Sequence, residues 1–191
     1  MRTLIVTNIV SLDGYFEGPG GNVMAMNMDH AFNAYNLERL QAADTLLLGR
    51  TSFEMFQGFW PTVVDNPDFD DVNRAISRRD NEIDKVVVSD SLTEDGLSAW
   101  KGTTRIVSRS DAHQTIAELK AGDGGDILAF GSHLLWNDLL AAGLVDEVHL
   151  MVGPAALGGG TPAFTAPVAL HRLDTRTWDG SDNVLVRYAA K

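Results

Sequence analysis

Three short stretches of the chain bring phosphate-binding residue types together. Gly49-Arg50-Thr51-Ser52 places a glycine, a guanidinium and two hydroxyls where the apolar run Thr45 to Leu48 gives way to a helix-forming segment. The free N–H groups of a helix start favour an anion, and Arg50 adds a charged fork. Gly131-Ser132-His133 repeats the arrangement after the apolar run Asp126 to Phe130. A glycine there lets the backbone come close to a diphosphate. Ser89 and Ser108-Arg109 end two further strand-like runs with the hydroxyl and guanidinium groups that suit a ribose phosphate. Each stretch has an ordinary alternative: a strand-to-helix turn with Thr51 as the cap, a tight glycine turn, and strands that end in serine.

Other chemistry-bearing residues are sparser. Asp13-Gly14 reads as a turn dipeptide. Asp29 and His30 open a helix-like run, in which Asp29 either caps the helix or handles protons. Trp60-Pro61, after Gly58-Phe59, reads as an aromatic flap able to stack on a flat heterocycle or as a core anchor under a loop. His149 alternates with Val148, Leu150 and Val152 along a strand and is expected to be half exposed. Gly158-Gly159-Gly160 opens no helix and is expected to shape a turn or a subunit contact. The five histidines show no metal-binding spacing, and no Ser-His-Asp set can be assigned. The chain has no cysteine, which excludes disulfides, thiolate nucleophiles and thiolate metal sites. Hard chemistry would therefore belong to a bound cofactor that the protein orients.

Alternating elements position these residues. Strands are expected at Thr3–Val10, Thr45–Leu48, Lys85–Ser89, Thr104–Ser108, Asp126–Phe130 and Asp146–Val152. Helices are expected at Asp29–Ala42, from a Thr51/Glu54 capping box onward, at Asp68–Arg79, from Ser110 or Asp111 through Leu119, and up to Ala142 before Gly143. Two last strands, near Val168–Thr177 and Asn183–Ala189, are joined by the hairpin signal Asp179-Gly180. The fold class is α/β: a mostly parallel central sheet with helices on both faces and an antiparallel C-terminal edge, one domain over residues 1–191. In such sheets the ligand lies outside the carboxyl ends of the strands, where all three phosphate-type stretches fall. A net charge of −11 opposes binding to nucleic acid, and no apolar run is long enough to span a membrane. The start Met1-Arg2-Thr3-Leu4-Ile5-Val6 reads as a first strand rather than a signal peptide, and a cytoplasmic location is the expectation.

In this order the motifs resemble the dihydrofolate-reductase-like superfamily, and within it the C-terminal reductase domain of the bifunctional deaminase-reductase of riboflavin biosynthesis. The resemblance rests on Ser11-Leu12-Asp13-Gly14, the run Ala43 to Thr51, Val86-Val87-Val88-Ser89, Gly131-Ser132, and Gly143-Leu144-Val145-Asp146-Glu147-Val148 leading into Pro154, Leu157-Gly158, Gly160 and Phe164. It implies an NADPH-dependent reductase of a pterin-like or ribosylaminopyrimidine heterocycle, resembling 5-amino-6-(5-phosphoribosylamino)uracil reductase, and a homodimer. By position it implies that Gly49, Arg50, Thr51 and Ser52 hold dinucleotide phosphates, and that Ser89, Ser108 and Arg109 surround the adenosine. Gly131, Ser132, His133 and Leu134 would receive the diphosphate and ribose, and Asn8, Ile9, Asp13 and Phe16 would lie near the nicotinamide. Asp13 or Asp29 would assist protonation, and Trp60 would wall the substrate.

The chain also departs from that pattern. Phe130 precedes Gly131-Ser132 where the riboflavin domain carries an acidic residue before a Gly-Gly pair, and Phe53-Glu54-Met55-Phe56 with Phe59-Trp60-Pro61 looks like a stand-alone branch. Asp90 follows Ser89, and a carboxylate beside a ribose 2′-phosphate repels it by ~1–4 kcal/mol depending on the local dielectric. NADH therefore stays open beside NADPH. The alternatives to the riboflavin-type reductase are a dihydrofolate or pteridine reductase, and a dinucleotide-binding protein without turnover.

Overall fold

The computed structural model describes residues 1–190. Ten strands and five α-helices run in the order β1 (Leu4–Val10), β2 (Tyr15–Glu17), α1 (His30–Ala42), β3 (Ala43–Gly49), α2 (Arg50–Phe59), α3 (Asp71–Glu82), β4 (Asp84–Val88), β5 (Thr104–Val107), α4 (Ala112–Ala121), β6 (Asp126–Phe130), α5 (His133–Ala141), β7 (Glu147–Val152), β8 (Thr161–Pro162), β9 (His171–Arg176) and β10 (Val184–Ala189). Eight strands form one sheet in the order β5-β4-β3-β6-β1-β7-β10-β9. Pairing is parallel from β5 to β7 and antiparallel at β7/β10 and β10/β9, as the sequence implied. β2 and β8 form a separate antiparallel pair. No described helix is long and apolar enough to cross a membrane.

Successive apolar residues of each strand feed opposite faces, as the two-residue period requires. Leu47, Val86 and Ala129 pack with Ile116 of α4 and Trp136 and Leu139 of α5. Leu46, Leu48 and Val87 pack on the other face with Leu40 of α1, Phe53 of α2 and Ile76 of α3. β3 therefore hands the chain to one face through α2, and β6 hands it to the other through α5. These two strands are neighbours, so a crevice opens between their carboxyl ends.

Several local readings need correction. Thr51 does not cap α2: the helix already begins at Arg50, Gly49 holds the N-cap position, and no side chain closes that end. Glu54 instead lies 3.7 Å from Arg50. α3 starts at Asp71 rather than Asp68, because Asp70 accepts the Asn73 N–H at 2.7 Å while Asn66 holds the Asp68 N–H in a preceding turn. Ser110 and Asp111 give α4 no side-chain cap. The β9–β10 connection is longer than a two-residue turn. Asn183 is drawn to the start of α1, donating to the Asn27 carbonyl at 2.8 Å and to Asp29 at 2.9 Å.

The largest departure is His149, which is fully buried rather than half exposed. Its strand lies inside the sheet, and α1 covers the face toward which the ring points. The Tyr35 hydroxyl lies 2.7 Å from Nδ1, and Glu147 lies 2.7 Å from Nε2, with Arg187 bracketing the same carboxylate at 3.3 Å. The Arg187 Nε–H also points at Nε2, at 3.3 Å, so the ring is enclosed by Tyr35, Glu147 and Arg187. Burial pushes the imidazole pKa down to about 4, against the Glu147 hydrogen bond that raises it.

The folded state thus resists a proton that the unfolded chain takes up near the ordinary value of 6.5. Stability from this group is complete above that value and drains away as pH falls toward 4, by up to about 3 kcal/mol. We expect urea unfolding of His149→Gln to lose this part of the pH dependence between pH 6.5 and 4. Wild-type and variant curves that stay parallel across that window would rule the contribution out.

Candidate functional site

Strand register aligns the residues named from the sequence. Thr7 pairs with Phe130 and Leu47 with Ala129, so Asn8 of β1, Gly131 after β6 and Gly49 of β3 stand level on adjacent strands. Gly49 pairs with Val88, and Val88 with Val107, so Ser89 and Ser108 continue the row beyond β4 and β5. Four strand gaps of ~4.8 Å make this row about 19 Å long, the scale of an extended dinucleotide.

The centre of the row is the β3/β6 crevice, closed by two reciprocal hydrogen bonds. Gly49 N–H donates to Ser132 Oγ at 2.9 Å, and Ser132 N–H donates to Ser52 Oγ at 2.8 Å. Gly131 sits at φ +53°, and a Cβ there would stand 2.9 Å from Ser52 Oγ. Ser132 follows in the left-handed region at φ 51°. The two bonds hold the starts of α2 and α5 side by side at the crevice. Neither helix has a side-chain cap, whereas Asp29 and Asp70 cap α1 and α3. The N–H groups of Arg50, Thr51 and Ser52 and of His133, Leu134 and Leu135 lie in these first turns, where the helix dipole favours an anion. Arg50 is half exposed beside the crevice, and Leu134 is exposed.

The β1 side of the row differs. Phe16 of β2 stacks on His133, with ring centroids 5.0 Å apart and planes inclined by 27°. His133 Nε2 is anchored 2.8 Å from the Pro162 carbonyl, which ties α5 to the β2/β8 pair. Gly160 permits that pair, since a Cβ there would lie 2.1 Å from the Glu17 carbonyl oxygen. The glycine run therefore shapes a close backbone approach. Asn8 and Ile9 are buried in β1, and the Asn8 Nδ2 donor has no protein partner. A buried amide left in this state calls for an acceptor from elsewhere.

The two acids have their hydrogen bonds committed. Asp13 accepts from the Ser11 hydroxyl at 2.6 Å, Leu157 N–H at 3.0 Å and Gly158 N–H at 2.7 Å. These bonds hold its pKa down to about 2 although the group is exposed. Asp29 caps α1 and also accepts from Ser181 at 2.6 Å. Partial burial pushes its pKa up, but the bonds from Ser181, Phe32, Asn183 and Ala31 outweigh that and leave it lowered. Trp60 begins a short 3₁₀ turn, packs on the α1–α3 core and accepts from Ser77 Oγ through its carbonyl at 2.5 Å. These contacts seat the Trp60 ring against the core beneath the segment.

Ser89, Ser108 and Arg109 cluster at the far end. Ser89 accepts from Ser91 and Leu92 N–H, Ser108 donates to Asp111, and Asp90 accepts the Arg109 N–H. At the opposite end of the sheet a cleft of about 430 Å³ is lined by Arg2, Asp44, Lys85 and Thr104 among others. Two of its cations are already engaged: Arg2 bonds Asp44, and Lys85 bonds the Ile83 carbonyl and lies over Trp100. Among the described residues no group of three or more metal-ligating side chains forms.

The RibD C-terminal domain family model matches residues 2–185. The chain belongs to that family. This RibD C-terminal domain is 28% identical over 192 residues to the uncharacterized protein YyaP of Bacillus subtilis (strain 168), covering 93% of the chain and 89% of YyaP. Its fold matches a putative riboflavin biosynthesis protein from Shewanella sp. PV-4 with a TM-score of 0.68 and 22% identity, covering 100% and 99% of the two chains. It also matches dihydrofolate reductase from Enterococcus faecalis complexed with NADP(H) and RAB-propyl, with a TM-score of 0.61 and 14% identity, over 98% and 95% of the chains. The dihydrofolate-reductase-like fold is thereby established for this RibD C-terminal domain.

The Ser52–Ser132–Gly49 linkage had only an indirect signal in the sequence, the recurrence of Gly-x-x-Ser and Gly-Ser after two apolar runs. We expect Gly131→Ala to destabilise the protein by about 1–2 kcal/mol through the left-handed backbone alone, lowering Tm by roughly 2–8 °C. An unchanged melting curve would mean that the turn tolerates a side chain and that Ser52 does not confine it.

Proposed function

We propose that this RibD C-terminal domain is a nicotinamide-dinucleotide-dependent reductase of a small planar nitrogen heterocycle, of the pterin or ribosylaminopyrimidine class. The observation that carries this reading is the convergence of two uncapped helix starts on one crevice, at the centre of a row that ends in an unpartnered Asn8 amide. Gly49 through Ser52 and Gly131 through Leu134 would take the diphosphate. Asn8, Ile9, Phe16 and His133 would line the nicotinamide half, with Asn8 Nδ2 offered to a carboxamide oxygen. When bound, the reduced cofactor supplies a hydride to the heterocycle. The family membership supports an oxidoreductase of the riboflavin-pathway type.

In this reading Asp13 and Asp29 act by position. Asp13 locks the Leu157-Gly158 loop against the first turn, and Asp29 joins the start of α1 to Ser181 and Asn183. Both are ionised at neutral pH, so the proton that accompanies hydride transfer would come from water. Trp60 would contribute at most the exposed edge of its ring to the substrate wall. The homodimer carried by the resemblance has an available edge in β9, where all six residues are exposed. A second reading, dinucleotide binding without turnover, is favoured by one observation: neither acid is held in a protonated form.

At a cofactor concentration one hundred times Kd, we expect stabilisation of about 2.7 kcal/mol, an upward Tm shift of roughly 5–10 °C. Arg50→Ala should reduce the shift. Loss of the reduced cofactor's near-ultraviolet absorbance on mixing with pterins and ribosylaminopyrimidines would establish turnover. A Tm shift with no absorbance loss across that panel would select the binding reading. No shift with either reduced dinucleotide would refute both.

A further inference from the structure

The β4/β5 end of the row carries cations that are already matched by carboxylates. Asp90 Oδ1 accepts the Arg109 backbone N–H at 2.8 Å, and Oδ2 lies 3.7 Å from the Arg109 guanidinium. Arg50 lies 3.7 Å from Glu54, one helical turn on. The hydroxyls also serve local turns, with Ser108 spending its proton and Ser89 its lone pairs. Ser89 Oγ closes its own turn by accepting from Ser91 at 3.1 Å and Leu92 at 2.9 Å, and Ser108 Oγ donates to Asp111 at 2.7 Å. Arg109 therefore shares the β4/β5 edge with Asp90 and Asp111, while Arg50 and Glu54 pair on α2 nearer the crevice, in a chain of net charge −11.

A diphosphate at the Gly49/Gly131 crevice would leave two directions for the attached nucleosides. The β1 direction offers a stacked aromatic pair and an unpartnered amide donor, which suit nicotinamide. The adenosine would then extend over β4 and β5, with its ribose toward Asp90. A 2′-phosphate at that ribose is dianionic. It would have to approach Asp90 and draw Arg109 or Arg50 away from an existing partner. Free 2′ and 3′ hydroxyls instead donate to the carboxylate, the role an acidic residue plays at the ribose in other dinucleotide folds. They also leave the Asp90–Arg109 contact intact.

We propose that this site selects NADH over NADPH, with Asp90 as the selecting residue. The inference rests on the dinucleotide reading above, and the probes separate the two. Isothermal titration of the intact protein with NADH, NADPH, ADP-ribose and 2′-phospho-ADP-ribose gives four affinities. The expected result is that each unphosphorylated ligand binds tenfold or more tightly than its 2′-phosphate. Asp90→Asn keeps an acceptor for the Arg109 N–H but removes the charge. It should narrow that ratio at least fivefold, chiefly by strengthening the phosphorylated ligands. NADPH binding as tightly as NADH, or a ratio unmoved by Asp90→Asn, overturns the selection while leaving a dinucleotide site in place. Failure of all four ligands to bind overturns the site itself.

Discussion

Two hydrogen bonds hold the molecule's most consequential junction: Gly49 N–H to the Ser132 hydroxyl, and Ser132 N–H to the Ser52 hydroxyl. They satisfy backbone donors where adjacent strands part company, one chain turning to each face of the sheet. Without them the diverging turns would leave polar groups unpaired between two apolar cores. With them, the starts of α2 and α5 are fixed toward one another, and the backbone N–H groups of both face a common space. The left-handed turn at Gly131 and Ser132 is part of the same constraint, because it brings the Ser132 hydroxyl back to β3.

This arrangement reconciles an acidic chain with an anionic ligand. Overall charge is −11, and the arginines near the site are individually matched by carboxylates. Attraction must therefore come from backbone dipoles and amides, which are local and do not depend on net charge. Donors of that kind suit a diphosphate held close to the backbone. They offer little to a phosphate farther out, where the surface already carries Asp90, Asp111 and Glu54. In the proposed reading, this geometry favours binding at the centre of the row and restricts what is welcome at its end.

Much of this was legible in the residues. β6 is found at Asp126–Phe130 as expected, because a buried apolar run followed by glycine leaves little freedom in either direction. The parallel sheet, its antiparallel edge and the placement of three phosphate-type stretches at strand ends also followed from local pattern. What did not follow was set by distant neighbours. Thr51 and Glu54 have capping-box spacing, yet Gly49 holds the N-cap position, two residues earlier. His149 alternates like a solvent-facing residue, but the α1 residue Tyr35 supplies the partner that lets it be buried. The partners of the acids Asp13 and Asp29 were not legible either, since Gly158 and Ser181, more than a hundred residues away in sequence, supply bonds to them.

The central claim is that the amides at the two helix starts receive the diphosphate. Residue-resolved amide hydrogen exchange, followed by NMR with and without saturating ADP-ribose, tests it most directly. The account predicts slowed exchange concentrated at residues 50–52 and 133–135, with little change at the cleft near Arg2 and Lys85. Protection at that opposite cleft, or saturation with no protection at either helix start, would contradict it.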